Sequence, residues 1–514
     1  MLEPLRRRLV AAGPVGPAAR ALGAMVAAWV GYGATLAPGL TWAHHGADGG
    51  DLLAAAATNG VPHPSGYPLY TVLLQGWLAA GRGLGVQSPA WLGNSFSAFA
   101  AGLSVGVTVL AAYALLGERP FRPLWAAVAG MAWAVAPLVW SQALITEVYA
   151  LHGLLVALLG TAAFVGSPQP LRTGVLLGLA LAHHLTSALL WPALVYALRR
   201  AGGTWRVTLG RAAGMSVVAA LVAAVCYARI PLVAGQGAPV NWGYAVDWAG
   251  FWWLAGGEAY RHYLFALTPA QLGGRLLGVG STLVEQVTPL GLAALLAGLP
   301  AWERLPVLRG AALLWVLPVS LYAAAYATVD SRVYLLPVVW LSVLWLAQGC
   351  AAADQWLRAW LAPCGMFKRI PRATFAGLVC GALVVVAVWR LPALSLRDDR
   401  EATQFLTAAA QAIPSHSVVI SGADAPTFAL WYGAWAGGEL DVAGQDLVLL
   451  NADLLQFGWY RRLMHDLYPA VVAPGASLEE VVATNRELRP ILVTEPELVP
   501  GRAVTPAGPL WRLE

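Results

Sequence analysis

Lysine is nearly absent. Lys368 is the single lysine among 31 basic residues, and charged residues make up only 11% of the 514 positions. So little charge cannot cover the surface of a soluble chain of this length, which excludes an ordinary soluble globular protein. The net charge of +5 is modest and rests on arginines in short loops, so a nucleic-acid partner is excluded as well. Cysteine is scarce too. Cys226, Cys350, Cys364 and Cys380 lie in or beside apolar runs, and none falls in the C-terminal region, which excludes a disulfide framework and a cysteine-based zinc site. The four thiols read as small buried hydrophobes.

What is plentiful is apolar surface: 59% of the residues are hydrophobic. Runs of membrane-spanning length fall at 21–41, 95–117, 124–143, 148–167, 211–234, 273–298, 308–328, 333–351 and 373–393. The expectation is a polytopic α-helical membrane protein. The first run follows Arg6, Arg7 and Arg8 and lacks a small-residue cleavage site, so it reads as an uncleaved helix. Residues 172–198 are too many for one span and few for two. Read as two short helices hinged at His183-His184, they put Arg199, Arg200, Arg206 and Arg211 on the cytoplasmic side. Arg304 and Arg309 join them there, as do Arg358, Lys368, Arg369 and Arg372, as the positive-inside rule requires. The result is about eleven membrane helices in an integral membrane protein, the cytoplasmic membrane if bacterial, with the N-terminus inside and the C-terminal region outside.

That topology carries a consequence for chemistry. Asp48, Asp51, His63, Glu147, His183, His184, the loop around Asn241, and Asp330 with Arg332 all fall on the extracytoplasmic face. Ionisable groups at a membrane surface are costly and usually functional, so a shared cavity is expected. The first outer loop covers 42–94 and a larger, aromatic-rich one covers 236–272, including Arg261; the latter reads equally as an interfacial anchor or a substrate-contacting loop. After a membrane domain at 1–395, the composition shifts to short alternating elements at 396–514, a small extracytoplasmic α/β domain. Strands are expected at Ser417 to Ser421, Asp446 to Leu450 and Pro490 to Thr494, with helices at Thr427 to Trp435 and Leu455 to Leu467.

The densest polar chemistry is Asp48-Gly49-Gly50-Asp51 followed by His63-Pro64-Ser65-Gly66-Tyr67-Pro68. A carboxylate at a partly desolvated surface gains proton affinity and can act as general base toward a hydroxyl. Asp48 is the principal candidate, while Asp51 reads equally as the N-cap of Leu52 to Thr58. His63 and Tyr67, in a proline-stiffened turn, read as ligand-facing. His44, His45 and Asp48 have the ligand types of a zinc or manganese site, but their spacing matches no metal motif and none is assigned. Glu147, beside Tyr149, either caps the helix at Val148 or points into the cavity. One imidazole of His183-His184 is expected to satisfy freed carbonyls and the other to meet a phosphate. Arg332 offers a fork for phosphate, or pairs locally with Asp330. His152, mid-helix, reads as a satisfied core histidine.

The first-loop pair, Asp48-Gly49-Gly50-Asp51-Leu52 and His63 to Leu69, resembles the outer-loop signature of a membrane family long labelled a domain of unknown function. Its animal member is the endoplasmic-reticulum O-mannosyltransferase of plexin-type receptors. Asn94, Trp140-Ser141-Gln142, Glu147-Val148-Tyr149, His184-Leu185-Thr186, Asn241-Trp242-Gly243, Asp330 to Pro337, Asp424 to Tyr432 and Trp459-Tyr460 extend the likeness. The resemblance implies the GT-C glycosyltransferase fold, with an acidic residue in the first outer loop and a polyprenyl-phosphate sugar as donor. It also implies transfer with inversion to an exported protein or other extracytoplasmic acceptor, with a divalent metal not favoured. The sequence departs from the family at the second acidic position, where Asp51 stands for the usual Glu.

The expected enzyme is therefore a polyprenyl-phosphate-sugar-dependent glycosyltransferase, an O-mannosyltransferase by resemblance. Asp48 and Asp51 are its catalytic candidates. His63, Tyr67, Glu147, Tyr149, His183, His184, Asn241, Arg261 and Arg332 are its donor phosphate or sugar candidates. A transporter or lipid flippase using the same polar face is the rival. The absence of an internal repeat and the position of the polar groups away from the bilayer midplane weigh against it.

Overall fold

The computed structural model describes residues 16–299, 306–361, 374–440 and 446–514. Arg6, Arg7, Arg8, Arg304, Cys364, Lys368, Arg369 and Arg372, used above, lie outside them. Proline repeatedly opens the helices, as at Pro17–Thr35, Pro68–Gly83, Pro89–Leu116, Pro137–Ala143, Pro170–His183 and Pro269–Ala297. The first turn needs no N–H there and proline's fixed φ suits it. Among the described residues five helices are long and apolar enough to cross a membrane: Pro89–Leu116, Trp205–Ala234, Pro269–Ala297, Ser331–Trp360 and Thr374–Leu394. Arg122–Ala134 and Pro137–Ala143, bent by 63° at Ala136-Pro137, make a sixth if taken together.

Of the nine full-length runs expected beside the two short helices of 172–198, not all are present as long helices among the described residues. The 172–198 stretch breaks where expected, into Pro170–His183, a 3-10 segment Leu185–Leu190 and Trp191–Arg200. The 42–94 loop is largely helical, containing Gly49–Ala57 and Pro68–Gly83. Its second helix buries Tyr70, Leu74 and Leu78, a four-residue repeat that gives it one inward face.

Close backbone approach holds the bundle. Gly174 and Gly178, four residues apart, face the Trp205–Tyr227 helix. A Cβ at either would lie 2.7 Å from the Met215 carbonyl or 2.6 Å from the Ala219 carbonyl. Small residues at this spacing let membrane helices touch along their main chains. Two helix breaks are stitched by one arginine. Pro289 has no N–H for the Glu285 carbonyl, and Arg390 donates to that oxygen as well as to Val135 O at 2.8 Å. Gln286 completes the stitch by accepting from Leu138 N at 2.9 Å.

The C-terminal residues form a five-stranded sheet in the order β2-β1-β3-β5-β4. β1 (Val418–Ser421), β2 (Val448–Asn451) and β3 (Ile491–Val493) are parallel and fully buried, while β4 (Val504–Ala507) and β5 (Leu510–Leu513) add an antiparallel edge. Helices Asp424–Tyr432 and Gly458–Leu467 fall near their expected places. This sheet's core is continuous with Val61, Val240, Trp242 and Leu254 of the outer loops. The helix Asp424–Tyr432 packs directly on Gly49–Ala57, where a Cβ on Gly50 would lie 2.1 Å from the Phe428 carbonyl oxygen. Only glycine fits at that contact.

Candidate functional site

The Gly49–Ala57 helix places Asp48 at its N-cap, where the side chain makes no capping hydrogen bond, and Asp51 within its first turn. The cap expected of Asp51 is therefore not its role. Asp51 is fully buried, and three donors converge on it. Oδ2 accepts from the His63 main-chain N–H at 3.0 Å and from His63 Nδ1 at 2.7 Å, and Oδ1 accepts from the Trp242 indole at 2.9 Å. With both oxygens taken and no exposure, Asp51 cannot reach a substrate directly, which corrects its place among the catalytic candidates. It fixes the His63 ring instead, so that His63 Nε2 faces the Asp48 carboxylate at 3.5 Å.

Asp48 keeps 39% side-chain exposure and is the one of the two carboxylates open to a ligand. Burial raises its proton affinity to about 6; His63 opposes that rise, and Asp424, Asp51 and Asp330 add to it. Burial would lower the His63 value, but Asp48, Asp51 and Glu147 outweigh it and lift it to about 9. Glu147 is buried and accepts from Val148 N at 3.1 Å, just ahead of the helix Tyr149–Phe164, which has no side-chain cap, so the capping reading does not hold. Burial and the Asp48 charge hold its carboxyl well above the usual range. An Asp48 carboxylate facing a His63 imidazolium is the arrangement these environments favour near neutral pH.

Behind this trio lies a ring cluster. Tyr67, with a left-handed backbone (φ 36°), sets its ring 5.1 Å from His63 and 6.0 Å from His184. Tyr149 and Tyr334 stand 5.7 and 5.8 Å from His184. His183 meets the Val148 carbonyl through Nε2 at 2.8 Å, while His184 Nδ1 engages the Thr186 hydroxyl at 2.7 Å. His152 is buried as expected, but its Nδ1 has no hydrogen-bond partner among the described residues.

Three candidates sit elsewhere or act differently. Asn241 is buried and donates to the Ala234 carbonyl at 2.7 Å, closing a helix end, which is a structural task. Its neighbour Trp242 is the residue that reaches Asp51, a role sequence reasoning missed although the Asn241-Trp242-Gly243 stretch had been singled out. Arg261 is exposed, 4.0 Å from Glu258, with its Nε donating to Gly256 O, so its contacts here are local. Arg332 is exposed and makes no ion pair with Asp330 among the described residues; it lines two adjoining cavities of about 210 Å³ each. His44 turns its Nε2 to the Leu394 carbonyl at 3.0 Å, and among the described residues no three His, Cys, Asp or Glu side chains are grouped to hold a metal ion. Asp424, at the start of the helix that packs on Gly50, was also missed as a site residue; its charge acts on Asp48, and it in turn feels His63 and Asp51.

Residues 48–203 match the family model described as the protein O-mannosyl-transferase TMEM260 N-terminal domain. The match covers less than half of the chain. It begins at Asp48 and takes in His63, Glu147 and His184, so the resemblance read from the first outer loop is borne out there. No curated protein sequence matches the chain. Two solved structures share its fold. ArnT from Cupriavidus metallidurans bound to undecaprenyl phosphate aligns with a TM-score of 0.57 and 14% identity, over 96% of this chain and 97% of that one. The same protein in the apo state gives 0.57 and 16%, over 96% of each. The chain thus shares the fold of these structures over nearly its whole length, and its long apolar helices are those of an integral membrane protein.

Proposed function

We propose that the protein moves a sugar, mannose by its domain's family, from a polyprenyl-phosphate donor to a hydroxyl of an exported protein or other extracytoplasmic acceptor. The observation that carries this reading is the Asp48 carboxylate, partly exposed and facing, at 3.5 Å, a His63 ring that Asp51 fixes. Asp48 takes the proton of the acceptor hydroxyl as its oxygen attacks the anomeric carbon. The bond from that carbon to the donor phosphate breaks on the opposite face, giving inversion, and polyprenyl phosphate leaves with the electron pair. A proton affinity raised to about 6 keeps Asp48 ionised at neutral pH while making it a better base than an exposed aspartate. The leaving group is a stabilised anion, so a cation such as Arg332 suffices at its phosphate and no general acid is required. ArnT bound to undecaprenyl phosphate supports a lipid of this class as the carrier. The outer-face placement of the site, with the N-terminus cytoplasmic and residues 396–514 extracytoplasmic, belongs to the same proposal.

The test is reconstitution of the full chain with polyprenyl-phosphate mannose and a Ser/Thr-rich exported acceptor, read by intact mass. A hexose increment dependent on the lipid donor is expected. Uptake or flipping of the lipid in proteoliposomes without any increment would favour the transporter reading.

A further inference from the structure

One cavity of the molecule contains polar groups that the reaction above does not use. It has a volume of about 210 Å³ and lies between the two broken helices that Arg390 stitches together, Pro137–Ala143 and Pro269–Ala297. Gln142 and Thr282 line it from opposite helices, 6% and 2% exposed. Gln142 directs its amide N–H to the His44 carbonyl at 3.3 Å, which fixes the orientation of the amide and leaves Oε1 without a partner among the described residues. The Thr282 hydroxyl is likewise unpartnered. Buried polar atoms are nearly always hydrogen-bonded, so two orphans on one cavity wall call for a ligand that supplies hydroxyls. The amide oxygen can only accept; the threonine hydroxyl can donate or accept.

The cavity has a cation at its edge. Arg332 lines it and also lines the neighbouring cavity of about 210 Å³ that runs along Gly274 and Gly278. Arg275 holds the intervening turn by donating to the carbonyls of Tyr326 at 2.8 Å and Thr328 at 2.9 Å and to the Ser331 hydroxyl. Asp330 lies on the same turn and lines the first cavity, close enough to Asp48 and Glu147 for its charge to act on both. A pocket with two unpartnered polar groups, a guanidinium and a second cavity follow one another along this part of the molecule, and the first is also lined by His44 and His45 of the loop that carries Asp48.

We infer that Gln142 and Thr282 read the sugar hydroxyls of a glycosylated lipid phosphate whose phosphate sits at Arg332 and whose chain leaves past Gly274 and Gly278. This rests on the proposed function and names the residues that distinguish a charged donor from the spent carrier. Trp140-Ser141-Gln142, a motif the sequence had marked without a role, thereby gains one.

The experiment measures direct binding to the full chain in lipid nanodiscs with three probes: polyprenyl phosphate, polyprenyl-phosphate mannose and polyprenyl-phosphate glucose. In Gln142→Leu and Thr282→Val, Kd for a sugar-bearing lipid is expected to rise about tenfold, the effect of losing one hydrogen bond, with Kd for bare polyprenyl phosphate unchanged. Thr282→Ser keeps the hydroxyl and should bind all three as the wild type does. Wild-type affinity for both sugar-bearing lipids in Gln142→Leu and Thr282→Val would overturn the inference, as would equal weakening of the bare lipid. If the wild-type chain shows the expected discrimination in binding yet transfers no sugar, the transferase reading fails and this site stands. If transfer proceeds while both variants bind like wild type, this site alone fails.

Discussion

Asp51 and Trp242 share a 2.9 Å hydrogen bond across 191 residues of sequence. The same carboxylate takes two bonds from His63, so the first outer loop, the larger outer loop and the imidazole facing Asp48 are fastened at one buried point. Asp51→Asn removes the charge from this point and leaves its donors poorly matched. Breaking a buried charge-assisted pair costs about 3–5 kcal/mol, so a clear fall in Tm and in transfer is expected. Trp242→Phe keeps the ring and loses only the indole bond, a smaller loss of about 1–3 kcal/mol. Thermal unfolding of the two purified variants checks the order; Asp51→Asn no worse than Trp242→Phe would contradict it.

The pH dependence follows from the Asp48 and His63 pair. The productive state has Asp48 ionised and His63 protonated, which holds between about 6 and about 9. The ratio kcat/KM should be bell-shaped with limbs near those values. Stability follows the same signs. His63 is raised in the folded state above its ordinary 6.5, so its contribution is full below 6.5 and is lost as pH rises through about 9. Asp48 is also raised, so its ionisation opposes folding increasingly as pH climbs from 3.8 to about 6. A His63→Gln variant should lose the alkaline limb; a limb near 9 that persists in it would assign that titration elsewhere.

Gly50 gives a steric test of the contact between the membrane domain and the C-terminal sheet. A methyl group there meets the Phe428 carbonyl oxygen at 2.1 Å, and that oxygen is main chain, so a helix must move. Gly50→Ala should loosen the 424–432 helix, raise its protease sensitivity and reduce transfer several-fold, whereas Gly76→Ala, with open space around it, should change nothing. Limited proteolysis reads the difference directly, and equal digestion of the two variants would remove the contact from the account.

Much of this was legible in the sequence where the signal was local. The break at His183-His184 and the three buried strands are set by residues within a few positions of each other, and they lie close to their expected places. Asp48 and His63 announced themselves as polar groups in a chain that has few. The rest depends on distant packing. Nothing around Trp242 signals that its indole points at Asp51, so attention went to Asn241, whose amide in fact closes a helix end. Arg261 stands three residues after Glu258, a spacing that becomes a pairing once the 258–263 segment winds into a 3-10 helix. Short helices such as Pro68–Gly83 escaped because polar and glycine positions dilute their apolar run below spanning length.

The central claim is that Asp48 is the base of a sugar transfer, and Asp48→Asn tests it most directly. The amide preserves shape but cannot take the acceptor proton, so transfer from polyprenyl-phosphate mannose should fall about 10²–10⁴-fold, with unchanged binding of the lipid donor. Transfer at the wild-type rate by a folded Asp48→Asn protein would contradict the account.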